Sequence, residues 1–250
     1  MLSMVRESGN TVHLSLSSEW WKLQESMQFS ITSRGWIPAV DSSDTPIFQG
    51  ILQEAELDSR LLSDSFSKLH GFFAAVIKTP NRVIAVADRI RSIPLFYSVV
   101  GEDLFISDDA DWIRRKHNNP TLNEQEELEF LMAGDVTGSA TMVDGVFQVQ
   151  AGEYVVFDKG KNDWKVKGRQ YCAFLPQAVE LDISHDFEAD HLRVMRQSIE
   201  RLLEYSGGRQ IVIPLSGGLD SRLLAFLVRN ANYENILAFS YGRPGNWESQ

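Results

Sequence analysis

A single cysteine, Cys172, occurs in 250 residues, which excludes an intrachain disulfide and a metal centre built from cysteines. Basic charge is also scarce. The chain has 24 Lys and Arg against 34 Asp and Glu, a formal net charge of −10. No stretch reads as a basic stripe, so nucleic acid held by phosphate neutralisation is not an expected partner. The five histidines are scattered, and none stands at the helical spacing of a zinc site. Apolar runs such as 71–77 are far shorter than the ~20 residues of a membrane helix, and the first nine residues have no apolar core of the signal-peptide kind. A membrane partner is therefore not expected, and the cytoplasm is the default location. No internal repeat or low-complexity segment stands out. The remaining composition, 43% hydrophobic and 23% charged, is that of a soluble globular protein long enough for one large or two ordinary domains.

From residue 11 to about 166 the chain alternates short apolar stretches with turn signals. Residues 11–16 read as a strand. Residues 45–55 and 58–69 read as helices, with Asp44 and Asp58 as N-caps. Four strands follow, at 71–78, 82–88, 95–99 and 104–107, separated by Thr-Pro-Asn, Ser-Ile-Pro and Gly-Glu-Asp turns. Residues 124–133 are a further helix, and 145–149 with 153–157 read as a hairpin closed around Ala151-Gly152. Strands grouped together, with helices clustered rather than alternating, predict an α+β layered domain over 1–170. The lysine-rich tract 158–169 reads as the start of a transition, with a linker over 171–184. Trp20-Trp21 reads as a core or interface anchor.

The second part, 185–250, has a different pattern. Residues 185–205 carry apolar side chains at a helical period, with acids early and arginines later. Strand 210–215, helix 221–230 and strand 236–240 then make β-α-β, the start of a parallel, doubly wound sheet. Between the first strand and its helix lies Ser216-Gly217-Gly218-Leu219-Asp220-Ser221. Adjacent glycines reach backbone angles closed to other residues, so several N–H groups can turn toward one point. The following helix adds its unpaired N-terminal donors. The two serines bring hydroxyls, and Asp220 brings a carboxylate able to hold a hard cation. The pattern is that of a pyrophosphate cradle with a metal handle. It lacks the Lys after the second glycine of a Walker loop. The plainer alternative is a turn in which Gly-Gly bends the chain and Asp220 caps the helix.

These six residues resemble the PP-loop of the ATP pyrophosphatases. With Leu215 before them and Leu223-Leu224-Ala225 after, the segment resembles the asparagine synthetase family. The likeness extends to Gly71-Phe72-Phe73-Ala74, Asp88-Arg89, Pro94-Leu95-Phe96-Tyr97, Leu104-Phe105-Ile106-Ser107-Asp108, the 134–138 segment, Thr141, Gly145-Val146 and Ala151-Gly152-Glu153. The fold it implies is an α+β sandwich of the N-terminal-nucleophile (Ntn) hydrolase type, followed by the start of an α/β doubly wound, adenine nucleotide α-hydrolase-like PP-loop domain.

In that family the first domain is a class II glutamine amidotransferase whose nucleophile is a cysteine directly after the initiator methionine. Leu2 holds that position here, no Asn-Gly-Glu is present, and Arg91 and Ile93 replace the family's Gly and Lys. The resemblance therefore implies no catalytic residue in the first domain and a lost glutaminase. In the second domain it implies ATP and Mg2+ as cofactors. Leu215 would meet the adenine through its backbone, Ser216, Gly217, Gly218, Leu219, Asp220 and Ser221 would hold pyrophosphate, Asp220 would hold the metal, and Tyr241 would face the nucleotide. Glu248 would open the next helix. The implied activity is a carbon–nitrogen ligase that adenylates a small-molecule carboxylate and passes it to ammonia or an amine, with asparagine biosynthesis implied by family name alone. Relatives that close lactam rings share the missing nucleophile. A non-catalytic nucleotide-binding or interaction module stays open, and so does a homodimer. The β-α-β pattern breaks off at Gln250, so the expectation is a truncated synthetase domain.

Overall fold

The computed structural model describes residues 10–17, 19–26, 29–37, 51, 59–174 and 186–240. The expectations placed on Leu2, on Asp44, on most of 45–55 and of the linker, and on Asp58, Tyr241 and Glu248 lie outside the described residues. The chain divides into two compact units, Met1–Leu175 and Pro176–Gln250.

The first unit contains two sheets. One has four strands in the order β1 (Val12–Ser15), β7 (Asp103–Ser107), β6 (Phe96–Val100), β8 (Phe147–Gln148). Its β1–β7 pair is parallel and its other pairs are antiparallel. The second sheet is antiparallel, in the order β10 (Trp164–Gln170), β9 (Glu153–Lys159), β5 (Arg82–Ala87), β4 (Phe72–Lys78), β3 (Ser30–Trp36), β2 (Lys22–Glu25).

The apolar runs of β4, β5 and β9 are continuous because both of their faces are covered. Ala74, Val76, Val83, Ala85, Val155 and Phe157 pack with Tyr97, Leu104 and Ile106 of the other sheet. The alternate residues Phe73, Ala75, Ile77, Ile84, Val86, Tyr154 and Val156 pack with Leu62 and Phe66 of helix α1 (Ser59–Ser67). Helix α2 (Ala110–Arg114) covers the outer face of the four-stranded sheet, where Trp112 and Ile113 meet Phe96 and Phe105. The result is a helix–sheet–sheet–helix sandwich. Each fully buried Val, Ile or Phe in it contributes about 1.5–3 kcal/mol of transfer free energy.

Helix α3 (Glu124–Ala133) forms as the sequence predicts. Asn123 caps its start, accepting from Gln125 N–H, and Gly134 ends it in the left-handed region. It buries none of its side chains: Leu128, Leu131 and Met132 are all exposed.

Several expectations change. Residues 145–149 and 153–157 are not a hairpin. β8 pairs with β6 in one sheet, whereas β9 pairs with β5 and β10 in the other. The turn at Gly152 (φ +65) carries the chain between sheets, and a Cβ there would sit 2.2 Å from the Cys172 carbonyl oxygen. The tract 158–169 is not a transition to the second unit. Its latter part is edge strand β10, whose exposed Lys165 and Lys167 are the charges that protect a sheet edge from further pairing. Tyr171 and Cys172 also stay with this unit, both donating backbone N–H groups to the Gly152 carbonyl. Strands β2 and β3 have no counterpart in the sequence reading.

Two buried carboxylates tie the unit together. Asp88, 0% exposed, accepts from the backbone N–H groups of Phe73 (3.0 Å), Ile90 (2.9 Å) and Ser92 (3.0 Å). Its own carbonyl accepts from Arg91 and Gly152. Asp108 accepts from Ser17 N–H (2.8 Å) and from the Trp21 indole (2.9 Å). Trp21 is thus an anchor that, with Ser17, fastens to the end of β7, while Trp20 stands 66% exposed.

Tyr97 lies between the sheets, beside Phe147 and Phe157. Burial, and then the charge of Glu153, pushes its phenol up to about 12. Tyr171, whose hydroxyl donates to the Ala87 carbonyl, is raised by burial and then by the Asp88 charge. The folded chain keeps these two protons above the usual tyrosine range near 10, and the unfolded chain gives them up there. Their contribution to stability is therefore complete below about pH 10 and is lost as pH rises through the folded values. In an ultraviolet titration Tyr97 and Tyr171 should both ionise above the usual tyrosine range. Ionisation of both near pH 10 without unfolding would contradict this packing.

Candidate functional site

In the second unit, α4 (Phe187–Ser206) begins at Asp186, whose carboxylate accepts from Ala189 N–H, and ends at Gly207 in the left-handed region. Strand β11 (Ile211–Pro214) and β12 (Ile236–Phe239) pair in parallel, with α5 (Leu219–Asn230) between them in sequence. A small core forms around Ile199 of α4, Ile213 of β11 and Val228 of α5. Alternation along β11 turns Ile211, Ile213 and Leu215 toward that core and leaves Val212 and Pro214 exposed.

Leu215 carries the ladder one residue past the strand, its N–H donating to the Phe239 carbonyl at 2.7 Å. Its side chain is committed to packing and its N–H to the sheet. A backbone contact to a ligand would therefore fall to its carbonyl. The chain then leaves the sheet at Ser216. Gly217 takes φ +71, open to glycine at little cost, and Gly218 returns to extended geometry (φ −74, ψ 167) as the N-cap. The helix starts at Leu219, two residues ahead of the sequence expectation. Asp220 therefore sits in the first turn and is not the cap, and no side-chain bond caps Gly218.

The two serines close the loop on itself. Ser216 N–H donates to Ser221 Oγ at 3.2 Å, and the hydroxyls lie 3.2 Å apart. Ser216, Gly217, Gly218, Leu219 and Asp220 are all exposed, with Ser221 half-buried. The first amides of a helix have no intrahelical acceptor, so this end presents N–H groups, two hydroxyls and one carboxylate to solvent. Arg222 lies alongside, its Nε donating to the Gly218 carbonyl at 3.1 Å. Such a set suits a polyanion better than a neutral ligand.

Among the described residues no group of three or more His, Cys, Asp or Glu could hold a metal ion. Asp220 is a lone carboxylate, which fits a hard cation sharing its remaining positions with phosphate oxygens and water, and does not fit an all-protein cage. Open grooves along α4 (about 450 Å3, near Leu192 and Arg196) and α3 (about 430 Å3, near Leu128 and Met132) share no residue with the loop. No helix among the described residues is long and apolar enough to cross a membrane.

Sequence reasoning passed over Arg222. The available signal was a cation one residue past the serine, in a segment (186–240) that has no lysine.

No family model matches the chain. Among curated proteins it is similar to the carboxyethyl-arginine beta-lactam-synthase of Streptomyces clavuligerus, 27% identical over 184 residues, which cover 71% of this chain and 33% of that protein. The chain thus spans about one third of that relative's length. Among solved structures, one similar chain is the glutamine phosphoribosylpyrophosphate amidotransferase from B. subtilis complexed with ADP and GMP. Its TM-score is 0.34 at 13% identity, covering 91% of this chain and 49% of that one. Another is the allosteric regulatory enzyme of purine biosynthesis, with a TM-score of 0.28 at 14% identity, covering 92% and 50%. Likenesses that loose carry no argument. The sequence similarity is what counts: over most of its length the chain is distantly similar to a beta-lactam-synthase.

Proposed function

We propose that the Ser216–Ser221 loop is a PP-loop that binds the pyrophosphate of ATP, and that the chain carries the nucleotide-binding element of an ATP-dependent carbon–nitrogen ligase of the asparagine synthetase type, acting in the cytoplasm. The observation that carries the reading is the loop itself. The six residues of the motif run from the end of a strand into the first turn of a helix, Gly217 is left-handed, and the helix end has no side-chain cap. The distant similarity to a β-lactam synthetase supports the same reading.

In the proposed reaction a substrate carboxylate attacks the α-phosphorus of ATP. The bond to the bridging oxygen of pyrophosphate breaks, an acyl-adenylate forms, and an amine or ammonia displaces AMP to give an amide. Bound Mg2+ would neutralise charge on the leaving pyrophosphate. This chain's part is positioning and charge stabilisation: the amides of 217–220 and the hydroxyls of Ser216 and Ser221 hold the departing oxygens, and Asp220 orients the cation. Tyr241 is proposed to face the nucleotide, as the resemblance implies. The first unit is proposed as an amidotransferase-like sandwich of the Ntn type without glutaminase activity, with Leu2 in place of the nucleophile. Free ammonia or an amine within the substrate itself, as in lactam closure, is then the acceptor.

The test is calorimetric titration of the 250-residue chain with ATP, with and without Mg2+, together with exchange of labelled pyrophosphate into ATP in the presence of candidate carboxylates. Binding that requires Mg2+ is expected. The rival reading, a non-catalytic interaction module, is favoured by the exposed Leu128, Leu131 and Met132 on α3. A folded chain that binds no ATP with Mg2+ would establish it over the ligase. Sedimentation of the same samples decides the homodimer.

A further inference from the structure

The proposed cradle lacks the lysine that a Walker loop brings to its phosphates, and 186–240 contains no lysine at all. The positive charge beside the loop comes from Arg222, which stands in the second turn's first position, four residues after the Gly218 N-cap. Helical side chains lean toward the helix N-terminus, and here the lean is fixed: Nε donates to the Gly218 carbonyl at 3.1 Å. The two terminal amino groups of the guanidinium have no partner among the described residues, and Arg222 is exposed. A cation at this end of a helix faces the positive end of the macrodipole, the unfavourable sense. Asp220, two positions earlier, points off another side of the helix and makes no ion pair with it. The helix end thus holds a cation against its dipole, and an anion lying between guanidinium and amides would offset that charge.

We propose that Arg222 is a pyrophosphate-binding residue, supplying through its paired amino groups the fixed positive charge that the loop otherwise lacks. This rests on the pyrophosphate reading of the same loop. A planar fork matches two oxygens of one phosphate, which an ammonium cannot do. Because Nε is held by the loop carbonyl, the fork is oriented before the ligand arrives.

The test uses inorganic pyrophosphate with Mg2+ as the probe and the whole 250-residue chain, with calorimetry and thermal unfolding of the ligand-free protein. Arg222→Gln should weaken pyrophosphate binding on the order of tenfold or more and flatten its dependence on salt. Arg222→Lys should recover part of that affinity, because charge returns without the fork. The ligand-free melting temperature should stay level or rise in Arg222→Gln, since an unfavourable charge leaves the helix end. If Arg222 only holds the Gly218 carbonyl, the signs invert: the melting temperature drops and affinity stays unchanged, and the proposal is overturned. Should the unsubstituted chain bind no pyrophosphate, the reading of the loop fails first and this inference with it.

Discussion

Asp220→Asn should lower Mg2+-dependent pyrophosphate exchange by at least about a hundredfold, the scale of removing one preorganised electrostatic group from a reacting site. The same change should cost less than about 1 kcal/mol of stability. Asp220 is exposed in the first turn of α5, where a carboxylate complements the helix dipole by a few tenths to about 1 kcal/mol. It caps no amide, and among the described residues no ion pair depends on it. The asparagine keeps the shape and removes the charge, so a cation held here would lose the one carboxylate that the loop offers it among the described residues. The proposed role and a purely structural one therefore part on magnitude. A large loss of exchange with an unchanged denaturation midpoint supports the metal role. Equal exchange in both proteins overturns it.

Asp88→Ala should destabilise the first unit by about 3–5 kcal/mol, measured as a shift in the denaturation midpoint. Three backbone N–H groups, those of Phe73, Ile90 and Ser92, would lose their acceptor together. Each donor left unpaired away from water costs about 1–3 kcal/mol, least where water can reach it. The Phe73 bond is buried and the other two are half-buried, which puts the sum of the three at the low end, about 3–5 kcal/mol. Against a domain stability of roughly 5–15 kcal/mol this is a large fraction. Asp88→Asn keeps one acceptor oxygen but turns an amino group toward N–H donors, so its loss should be smaller than that of alanine. A shift below about 1 kcal/mol for alanine would mean that water or a neighbour takes over all three donors.

The Asp88 network also explains why its neighbourhood was only half legible. The pair Asp88-Arg89 was visible as a resemblance, but nothing local marks Asp88 as a buried acceptor whose partner Phe73 lies 15 residues away. Asp108, with donors at Ser17 and Trp21 some 90 residues off, is the same case. The polar strands β2 and β3 were passed over because β3 buries Thr32 and Ser33 as well as Ile31, on both of its faces, and β2 buries nothing, so neither carries the apolar alternation a half-buried strand shows. The hairpin assigned to 145–157 failed for a related reason. A Gly turn between two apolar stretches says that the chain reverses, not which sheet each side joins.

What is contiguous was legible in the sequence: a six-residue motif joining an apolar strand to a helix, the helices over 124–133 and 185–205, and the apolar runs at 71–78 and 82–88 that read as strands. Those signals are local, because turn chemistry, helix capping and hydrophobic period act within a few residues. The tertiary structure alone decided the split of β8 and β9 between two sheets, the burial of Asp88 and Asp108, the edge role of β10, and the fastening of Arg222 to the Gly218 carbonyl. These depend on which surfaces are left to cover once the strands have paired. That choice is made by the burial of whole faces, and no window of sequence contains it.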